Sequence, residues 1–405
     1  MSYETVPGHI WNVAGFSANG AHTGLKRKRK DFTIIKSDVV CSAAAVFTKN
    51  KLIAAPLIVD KDHLQNGCAQ AIICNSGSAN ACTGEQGIED AYKMCELASS
   101  ELSCKKEDVL VLSTGVIGTL LVMEKIKDSI THVSSILGSE KGTEAAEGIM
   151  TTDTMVKEVL VKTDINGVPV TLGAIAKGSG MIHPNMATML SFIVTDAKIA
   201  SGALQRALSA SVEKTYNMIS VDGDTSTNDT VAILANGVAK NDEIIEGTKE
   251  YDMFCEALDA LNEMLAKMIV SDGEGATKVF EVQVIGAPTS EVAKKVGKSV
   301  VSSSLVKAAV YGGDPNWGRV MCAAGYSGAD VDVPASQLTL KVDEEKIVLF
   351  DNGMPTNYSE QTAKELMEEK YITFILDLKK GNESIKAWGC DLTNEYVNIN
   401  AHYRT

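Results

Sequence analysis

The sequence predicts an α/β protein, and two observations support this fold class. First, short apolar runs that fit strands alternate from Leu57 onward with stretches whose apolar residues recur at the i, i+3, i+4 and i+7 spacing of a helix. Second, 45% hydrophobic and 22% charged residues are typical of a globular protein. A chain of 405 residues is long enough for two or three domains. We predict a region over 1–280, with a sub-boundary near residue 197, and a smaller C-terminal α/β domain over 281–405.

Two successive strands are predicted to end in loops of small polar residues. The apolar run 69–74 leads into Asn-Ser-Gly-Ser-Ala-Asn at 75–80, and the run 109–112 leads into Ser-Thr-Gly-Val-Ile-Gly at 113–118. A helix is predicted after each loop, because apolar residues then recur at helical spacing. The second helix covers about 123–137. The apolar positions of the first are Ile88, Ala91, Tyr92, Cys95 and Leu102.

A β-hairpin is predicted at Asn166-Gly167. Two strand-like segments, 158–163 and 168–175, flank this dipeptide, and a type I′ turn needs positive φ at both central residues, which Asn and Gly tolerate best. The chain then enters a segment rich in glycine and polar residues, 177–190, just before an apolar strand at 191–194. Polar side chains on a backbone freed by glycines indicate a functional loop.

The remaining sequence continues the alternation of helices and strands. Helices are predicted at about 204–218 and 251–269, with a turn-rich segment at 222–230 between them. Beyond residue 280, strands and helices alternate with loops such as Gly-Gly-Asp-Pro-Asn-Trp-Gly-Arg at 312–319. No internal repeat is evident.

The charge of the chain argues against nucleic-acid and membrane partners. Its 52 acidic and 38 basic side chains give a net charge of −14, which repels phosphate backbones and anionic lipids. The one basic run, Lys26–Lys30, is interpreted as a solvated loop or strand. The nine cysteines are scattered without a Cys-x-x-Cys pair, so we expect reduced thiols and no structural zinc. The sequence shows neither a secretory pattern at Met1 nor a long apolar span, so we expect a cytoplasmic location.

Known cofactor-binding patterns are absent from the sequence. It contains no Gly-x-Gly-x-x-Gly after a strand, no Walker loop and no Gly-x-Ser-x-Gly elbow, so we expect a mechanism without a cofactor. Asp222, Asp224 and Ser226 mimic the first ligands of a calcium loop. Thr227 stands where that loop requires glycine, which excludes calcium. His183 is interpreted as a structural histidine, because no partner is fixed by its spacing.

Thr188 is a candidate nucleophile whose base would be its own amino group. A threonine hydroxyl attacks well only when a base lies beside it, and a freed α-amine with a pKa near ~7.7–8.0 accepts a proton at neutral pH. Such an amine requires cleavage between Ala187 and Thr188, and the small side chain of Ala187 permits the crowded geometry. Gly178 and Gly180 supply freedom for unusual backbone angles. From the residues alone, self-cleavage is one reading among several.

The segment 177–191, KGSGMIHPNMATMLS, resembles the signature of the ornithine acetyltransferase family, the bifunctional glutamate N-acetyltransferases of arginine biosynthesis. Further segments similar to this family occur in order along nearly the whole chain. They are NSGSANACTG at 75–84, STGVIG at 113–118, MTTDT at 150–154, DGDTSTNDT at 222–230, DGEGATK at 272–278, GGDPNWGR at 312–319 and the terminal 398–405.

The resemblance implies an acyltransferase that cuts itself between Ala187 and Thr188 into associated fragments of 187 and 218 residues. Thr188 then attacks the acetyl group of N-acetylornithine and passes it to glutamate. The resemblance assigns the oxyanion hole to the Thr114 side chain and the Gly115 backbone N–H. The residues that it implies for substrate binding are Thr151, Lys177, Thr188, Glu274, Asn400 and Thr405. By charge, Lys177 suits a substrate carboxylate and Glu274 suits the ornithine ammonium.

The resemblance also implies an architecture and an assembly. The fold is an α+β sandwich with helices packed on mixed sheets, and two cleaved chains form an α₂β₂ heterotetramer. No metal or prosthetic group is implied, and we interpret the chain as bifunctional, with acetyl-CoA as a second acetyl donor. Two alternatives stay open. One is a self-cleaving amidohydrolase or aminopeptidase that passes the acyl group to water, and the other is a non-catalytic relative that binds amino acids.

Overall fold

The computed structural model describes residues 3–183 and 189–402, and the chain divides into two compact units. The described part of the first unit comprises 3–178, 189–213 and 225–265, and that of the second comprises 179–183, 214–224 and 266–402. This division differs from a single boundary near residue 280. The main part of the second unit starts at residue 266, and two short internal segments belong to it as well.

Sixteen strands are described. In chain order they are β1 (Tyr3–Val6), β2 (Phe16–Ala21), β3 (Phe32–Phe47), β4 (Cys68–Ser78), β5 (Val109–Val116), β6 (Lys157–Ile165), β7 (Val168–Lys177), β8 (Leu190–Thr195), β9 (Ile219–Ser220), β10 (Thr230–Ala235), β11 (Val279–Ala287), β12 (Gln337–Val342), β13 (Glu345–Asp351), β14 (Met354–Pro355), β15 (Tyr371–Asp377) and β16 (Glu383–Cys390).

Eleven α-helices are described. They are α1 (Ala55–His63), α2 (Gly84–Leu102), α3 (Met123–Ser135), α4 (Glu144–Ile149), α5 (Ser201–Lys214), α6 (Lys249–Ser271), α7 (Ser290–Ser302), α8 (Ser304–Tyr311), α9 (Trp317–Gly325), α10 (Glu360–Met367) and α11 (Asn394–Ala401). None of these described helices combines the length and the apolar composition that a membrane-spanning helix requires.

The first unit is built on a mixed sheet. Its strand order is β1-β6-β7-β8-β10-β3-β4-β5, and β2 pairs with the first part of β3. The pairs β8–β10 and β4–β5 are parallel, whereas the other pairs are antiparallel. The strand β5 lies at one edge of this sheet. The predicted α/β class with mixed sheets is therefore confirmed.

The side chains of β5 alternate between two hydrophobic clusters, as a strand covered on both faces requires. Val109 and Val111 pack into one cluster with the apolar faces of α2 and α3. Leu110 and Leu112 pack into the other, to which α4 contributes. Burial on both faces explains why the sequence of this strand begins with a continuous apolar run. It also fixes the register that places Thr114 near the end of the strand.

The predicted hairpin is confirmed. The strands β6 and β7 pair antiparallel with Ile165 opposite Val168, and Asn166 and Gly167 have φ values of 53° and 82°. These positive φ values are the ones that a type I′ turn requires. The strand β7 ends at Lys177, so the hairpin delivers the chain to the start of the glycine-rich segment.

The second unit contains a seven-stranded mixed sheet of order β14-β13-β12-β15-β11-β16-β9. The helix α7 packs on its central strands β11 and β16 and buries Ala293, Val296 and Val300. Thr289 caps this helix by accepting a hydrogen bond from the backbone N–H of Val292.

Three sequence predictions are corrected by the structure. Residues 75–78 and 113–116 extend β4 and β5 and are not loops, because the two segments pair with each other in parallel register. Residues 317–319 open the helix α9, since Asn316 caps its N-terminus.

The basic run, residues 26–30, is a loop, as expected. The nine cysteines all lie within the described residues, and none of them is joined in a disulfide.

Candidate active site

The carboxyl ends of β4 and β5 approach each other closely at two glycines. Gly77 lies opposite Gly115 in the parallel register, and the two have φ values of 130° and 132°. A Cβ atom at Gly115 would lie 2.4 Å from the carbonyl carbon of Gly77, which no real Cβ tolerates. Only glycine fits this position, and it leaves the main chain at the strand end open to a bound molecule.

Three side chains cover the free edge of β5 where a further strand would otherwise pair. Asp60 accepts a hydrogen bond from the N–H of Val111 at 2.7 Å, and His63 Nδ1 lies 2.8 Å from the carbonyl oxygen of Val109. Asn228 donates to the carbonyl oxygen of Ser113 at 2.8 Å. Odd-numbered residues of this strand thus direct their polar groups away from β4. The same alternation directs the N–H of Gly115 to the free edge.

Asp60 is itself a buried carboxyl group, 1% exposed. Burial raises its pKa well above the ordinary value, and the hydrogen bond from Val111 opposes that rise. A carboxyl group with a raised pKa is uncharged over a wider pH range. The free-energy cost of burying Asp60 of α1 against the edge of β5 is therefore smaller than the cost of burying a charged group.

Thr114 is nearly buried and accepts a hydrogen bond from the ammonium group of Lys177, with Nζ 3.1 Å from Oγ1. Lys177 ends β7, so the contact joins the end of one strand to the end of another. Removal from water lowers the pKa of Lys177, and the carboxylate of Asp153 opposes this shift. The structure therefore brings together two of the predicted site residues, Thr114 and Lys177.

Asp153 organises the segment that contains Thr151. Its Oδ1 accepts from Lys157 Nζ at 2.7 Å and from the N–H of Gly178 at 2.6 Å, and its Oδ2 accepts from the N–H of Thr151 at 2.9 Å. Burial favours the neutral acid, but Lys157 and Lys177 outweigh it and lower the pKa of Asp153 to about 2. The carboxylate thus fixes the backbone at Thr151 and directly after Lys177.

A second acid lies beside the strand that follows the predicted cleavage position. Asp229 is 2% exposed and directly precedes β10, whose first residue donates its N–H to the carbonyl oxygen of Met189 at 3.0 Å. Burial raises the pKa of Asp229 well above its ordinary value, and hydrogen bonding and Lys177 oppose the rise. Among the described atoms, Oδ2 has no hydrogen-bond partner. A carboxyl group in this environment keeps its proton up to a higher pH than an exposed aspartate does.

The second unit brings together Glu274 and Asn400. Asn400 donates its side-chain amide to Glu274 Oε2 at 2.7 Å, and Glu274 is 8% exposed. Gly180 lies against the same carboxylate, since a Cβ there would meet all three carboxyl atoms at 2.4 Å. The N–H of Glu274 donates to the carbonyl oxygen of Ser179 at 2.9 Å. Glycine at position 180 therefore makes room for this acid.

Comparison with known proteins decides the family. The ArgJ family matches residues 17–405. The arginine biosynthesis bifunctional protein ArgJ of Caldanaerobacter subterraneus is 49% identical over 402 residues, which are 99% of this chain and 100% of that protein. The ArgJ protein of Thermotoga neapolitana is 51% identical over 393 residues, which are 96% of this chain and 99% of that protein. This chain belongs to the ArgJ family.

A solved structure agrees with this assignment. The crystal structure of the arginine biosynthesis bifunctional protein ArgJ of Bacillus halodurans is 47% identical and matches with a TM-score of 0.51. The match covers 53% of this chain and 99% of that chain. As an ArgJ protein, the chain is an acyltransferase of arginine biosynthesis, and the predicted enzyme class is confirmed.

Several residues of this ArgJ chain that shape the site did not emerge from the sequence as candidates. Asp153 and Asn228 lie inside the segments MTTDT and DGDTSTNDT, so the motifs contained the signal, but no local pattern revealed their partners. The sequence pattern relates Asp222 only to a calcium-binding loop. In the structure it accepts hydrogen bonds from the N–H groups of Met181 and Ile182, at 2.6 and 2.8 Å. It thereby holds the backbone of the glycine-rich segment.

Three predicted positions, Ala187, Thr188 and Thr405, lie outside the described residues. His183, the last described residue before the gap, lies 3.1 Å from Ser220 Oγ through Nδ1. Burial, with a smaller effect of Lys298, lowers the pKa of His183 to about 4, so the ring is neutral at neutral pH. Within the described residues, no group of three His, Cys, Asp or Glu side chains is arranged to hold a metal ion.

Proposed function

We propose that this chain transfers the acetyl group of N2-acetyl-L-ornithine to L-glutamate through an acetyl ester on Thr188. The products are ornithine and N-acetylglutamate. The observation that carries the proposal is the hydrogen bond from Lys177 to Thr114, 3.1 Å long. It joins the strand end at Gly115 to the segment that leads to Thr188. Membership of the ArgJ family supports the reaction class.

The proposed oxyanion hole consists of the Thr114 hydroxyl and the Gly115 N–H. Because the Thr114 oxygen accepts a hydrogen bond from an ammonium group, its own hydrogen stays available to donate. The N–H of Gly115 points to the free edge of β5, as the alternation along that strand requires. Two donors fixed on a strand end stabilise a tetrahedral oxyanion, and each such donor typically contributes about 10²–10³ in rate.

The nucleophile is proposed to form by self-cleavage between Ala187 and Thr188. The β fragment, from Thr188 to Thr405, has 218 residues, which is 54% of the chain. The solved Bacillus halodurans chain aligns over nearly its whole length with 53% of this chain, and this similar size supports a processed product. Cleavage frees the α-amino group of Thr188, which is a base suited to neutral pH.

The proposed reaction has two half-reactions. The Thr188 hydroxyl attacks the acetyl carbonyl carbon while its proton passes to the Thr188 amine. The oxyanion then collapses, the C–N bond breaks, and ornithine leaves with that proton on its α-amine. In the second half, the α-amine of glutamate attacks the ester carbonyl, N-acetylglutamate forms, and the threonine hydroxyl recovers a proton. No oxidant, metal or prosthetic group is required.

Substrate recognition is proposed to follow charge. Lys177 suits the α-carboxylate of an acetylated amino acid, and Thr151 lies in the segment that Asp153 fixes beside it. Glu274, held by Asn400, suits the side-chain ammonium of ornithine. We also propose a substrate contact for Thr405, which lies outside the described residues.

Three further features belong to the proposal. Acetyl-CoA serves as a second acetyl donor, so that the chain also acetylates glutamate directly. Two α and two β fragments form the working assembly. The enzyme works in the cytoplasm.

The proposal is tested by intact mass under denaturing conditions together with assays of the wild type, Thr188→Ala and Thr188→Ser. We expect two wild-type fragments beginning at Met1 and Thr188, one uncut and inactive alanine variant, and a serine variant that is cut and retains reduced activity. Incubation with N-acetylornithine and glutamate should form N-acetylglutamate. An active, uncut alanine variant contradicts the mechanism. Acetate in place of N-acetylglutamate indicates an amidohydrolase, and an uncut, inactive wild type indicates a binding protein.

A further inference from the structure

The basic run, residues 26–30, is unusual in a chain of net charge −14. It forms the loop between β2 and β3, and Arg27, Lys28 and Arg29 are exposed. Five consecutive cations repel one another, so such a loop is stable only where other interactions offset this repulsion. Some cations of the run form hydrogen bonds to other residues of the first unit, and others face solvent.

Two cations of the run are attached to the segment that contains Thr151. Lys26 Nζ donates to the carbonyl oxygen of Met150 at 2.8 Å, and Arg29 Nη1 donates to those of Thr151 and Asp153 at 3.2 and 2.9 Å. These acceptors are neutral carbonyl groups, so neither contact cancels the positive charge. Asp153 in turn holds Gly178, the neighbour of Lys177. The run is therefore fastened to the proposed acetyl-transfer site.

The run also begins next to the proposed oxyanion hole. A Cβ atom at Gly77 would lie 3.5 Å from Lys26 Cγ and 3.4 Å from the carbonyl oxygen of Leu25. Gly77 is the residue against which Gly115 packs. Only the thickness of one glycine backbone thus separates the Lys26 stem from Gly115. Desolvation lowers the pKa of Lys26 to about 8, and Lys177 is among the cations that contribute to the shift.

The acidic groups near the run leave an excess of positive charge. Lys30 pairs with Glu147. Asp31 is fully buried and accepts hydrogen bonds from the backbone of Thr23, Gly24 and Lys26, and from His22. Within residues 3–183 and 189–402, neither Arg27 nor Lys28 forms an ion pair. Two exposed cations therefore remain at the outer side of the run.

We propose that Arg27 and Lys28, with Lys26, form a phosphate-binding rim that holds the phosphate groups of acetyl-CoA. This inference rests on the proposed function and deepens it. N-acetylornithine and glutamate carry no phosphate, so of the proposed substrates only the thioester donor brings phosphate groups to the site. Arginine and lysine are the side chains that bind phosphates, the former with a bidentate fork. The chain as a whole is negatively charged and repels anions. A polyanionic donor is therefore expected to bind where the surface is locally positive.

The reaction with acetyl-CoA forms the same intermediate, the acetyl ester on Thr188. The Thr188 hydroxyl attacks the thioester carbonyl carbon, a C–O bond forms and the C–S bond breaks. The hydroxyl proton leaves with the CoA sulfur as the free thiol. The acetyl ester then passes to the α-amine of glutamate as before. The rim takes no part in these bond changes, and its role is to bind the donor.

The test compares acetyl-CoA with acetyl-N-acetylcysteamine, a thioester that lacks phosphate groups, in the cleaved wild type and in Arg27→Gln/Lys28→Gln. We expect the KM for acetyl-CoA to rise about fivefold, as the loss of two exposed ion pairs predicts, with little change in kcat. The KM for the phosphate-free thioester and for N-acetylornithine should change less than about twofold. Added salt should raise the wild-type KM for acetyl-CoA more than that of the variant.

The matched control is Lys105→Gln/Lys106→Gln. These two lysines are exposed, and they precede β5 at the end opposite Thr114. Their substitution removes the same charge as the rim variant does. The inference is overturned if this control raises the KM for acetyl-CoA as much as the rim variant does, or if the rim variant weakens both thioesters equally. It is also overturned if the wild type transfers acetyl from N-acetylornithine but not from acetyl-CoA. A wild type that uses neither donor contradicts the proposed function itself.

Discussion

Asn228 donates its side-chain amide to the carbonyl oxygen of Ser113 at 2.8 Å, two residues before Gly115. The same nitrogen donates to the carbonyl oxygen of Ala79 at 2.6 Å, just beyond the end of β4. Asn228 is 5% exposed, so both bonds are shielded from water. One amide group thus joins the ends of the two parallel strands that carry the paired glycines.

This relationship predicts that Asn228→Ala impairs both stability and acetyl transfer. The substitution leaves two carbonyl groups without their donor, and a buried polar group without a partner costs about 1–3 kcal/mol. We expect the free energy of unfolding to fall by about 2 kcal/mol or more. We also expect kcat to fall at least about tenfold, because the strand end that holds Gly115 loses its support.

Asn50→Ala is the matched control for this prediction. Asn50 also donates to two backbone carbonyl groups, those of Thr225 and Ser226, at 3.0 and 3.3 Å, but neither acceptor lies on β4 or β5. Urea unfolding and steady-state kinetics should show a loss of stability in both variants and a large loss of kcat only in Asn228→Ala. Equal kcat values in the two variants would contradict a positioning role for Asn228.

Gly115→Ala should strongly impair acetyl transfer by a steric route. The added methyl group would lie 2.4–2.8 Å from the backbone atoms of Gly77, which cannot move aside as a side chain can. We expect kcat/KM to fall by about 10² or more, the loss typical of one oxyanion donor. Gly118→Ala is the control, since its φ of 81° carries the same kind of strain but nothing lies within 4 Å of the new atom. That variant should lose only about 1 kcal/mol of stability and keep its activity.

Local patterns predicted the parts of this site that local structure determines. The Asn166-Gly167 turn and the apolar run of β5 are encoded by neighbouring residues, and so they were predicted from the sequence. The extension of both strands through Gly77 and Gly115 was not, since small polar residues favour loops unless a partner strand pairs with them. The role of Asn228 depends on partners 115 and 149 residues away in sequence, which no spacing rule reveals.

Gly180→Ala should weaken the binding of ornithine substrates without unfolding the protein. The new methyl group would meet the carboxylate of Glu274 at 2.4 Å, and a carboxylate at the end of a side chain can swing away. Its hydrogen bond to Asn400 would then be lost. We expect the KM for N-acetylornithine to rise about tenfold, the cost of one charge-assisted contact, with less than about 1 kcal/mol lost in stability.

The control and the coupling test for Gly180 use the same unit. Gly325→Ala adds a methyl group at the end of α9, where nothing lies within 4 Å, and should leave the KM unchanged. The double variant Gly180→Ala/Glu274→Ala should bind no worse than Glu274→Ala alone, because the methyl group acts only through that carboxylate. Additive effects of the two substitutions would show that Gly180 acts on something else.

The buried pair of Asp153 and Lys157 predicts a defined loss of stability in acid. The folded pKa of Asp153, about 2, lies below its ordinary value of 3.8, so the stabilisation is complete above about pH 4 and is lost as the pH falls toward 2. The shift corresponds to about 2 kcal/mol. Urea unfolding at several pH values should show this slope in the wild type and a smaller slope in Asp153→Asn.

The same pair predicts that the single variant is less stable than the double variant. At neutral pH, Asp153→Asn removes the carboxylate that faces the fully buried ammonium group of Lys157, and breaking a buried ion pair costs about 3–5 kcal/mol. Adding Lys157→Met removes the buried ammonium group as well and should restore much of that loss, since replacing a buried ion pair by apolar residues of similar volume is often neutral or stabilising. Activity should stay low in both variants, because Thr151 and Gly178 still lack the carboxylate that fixes their N–H groups. If the double variant were less stable than Asp153→Asn, the pair would not be the source of the stabilisation.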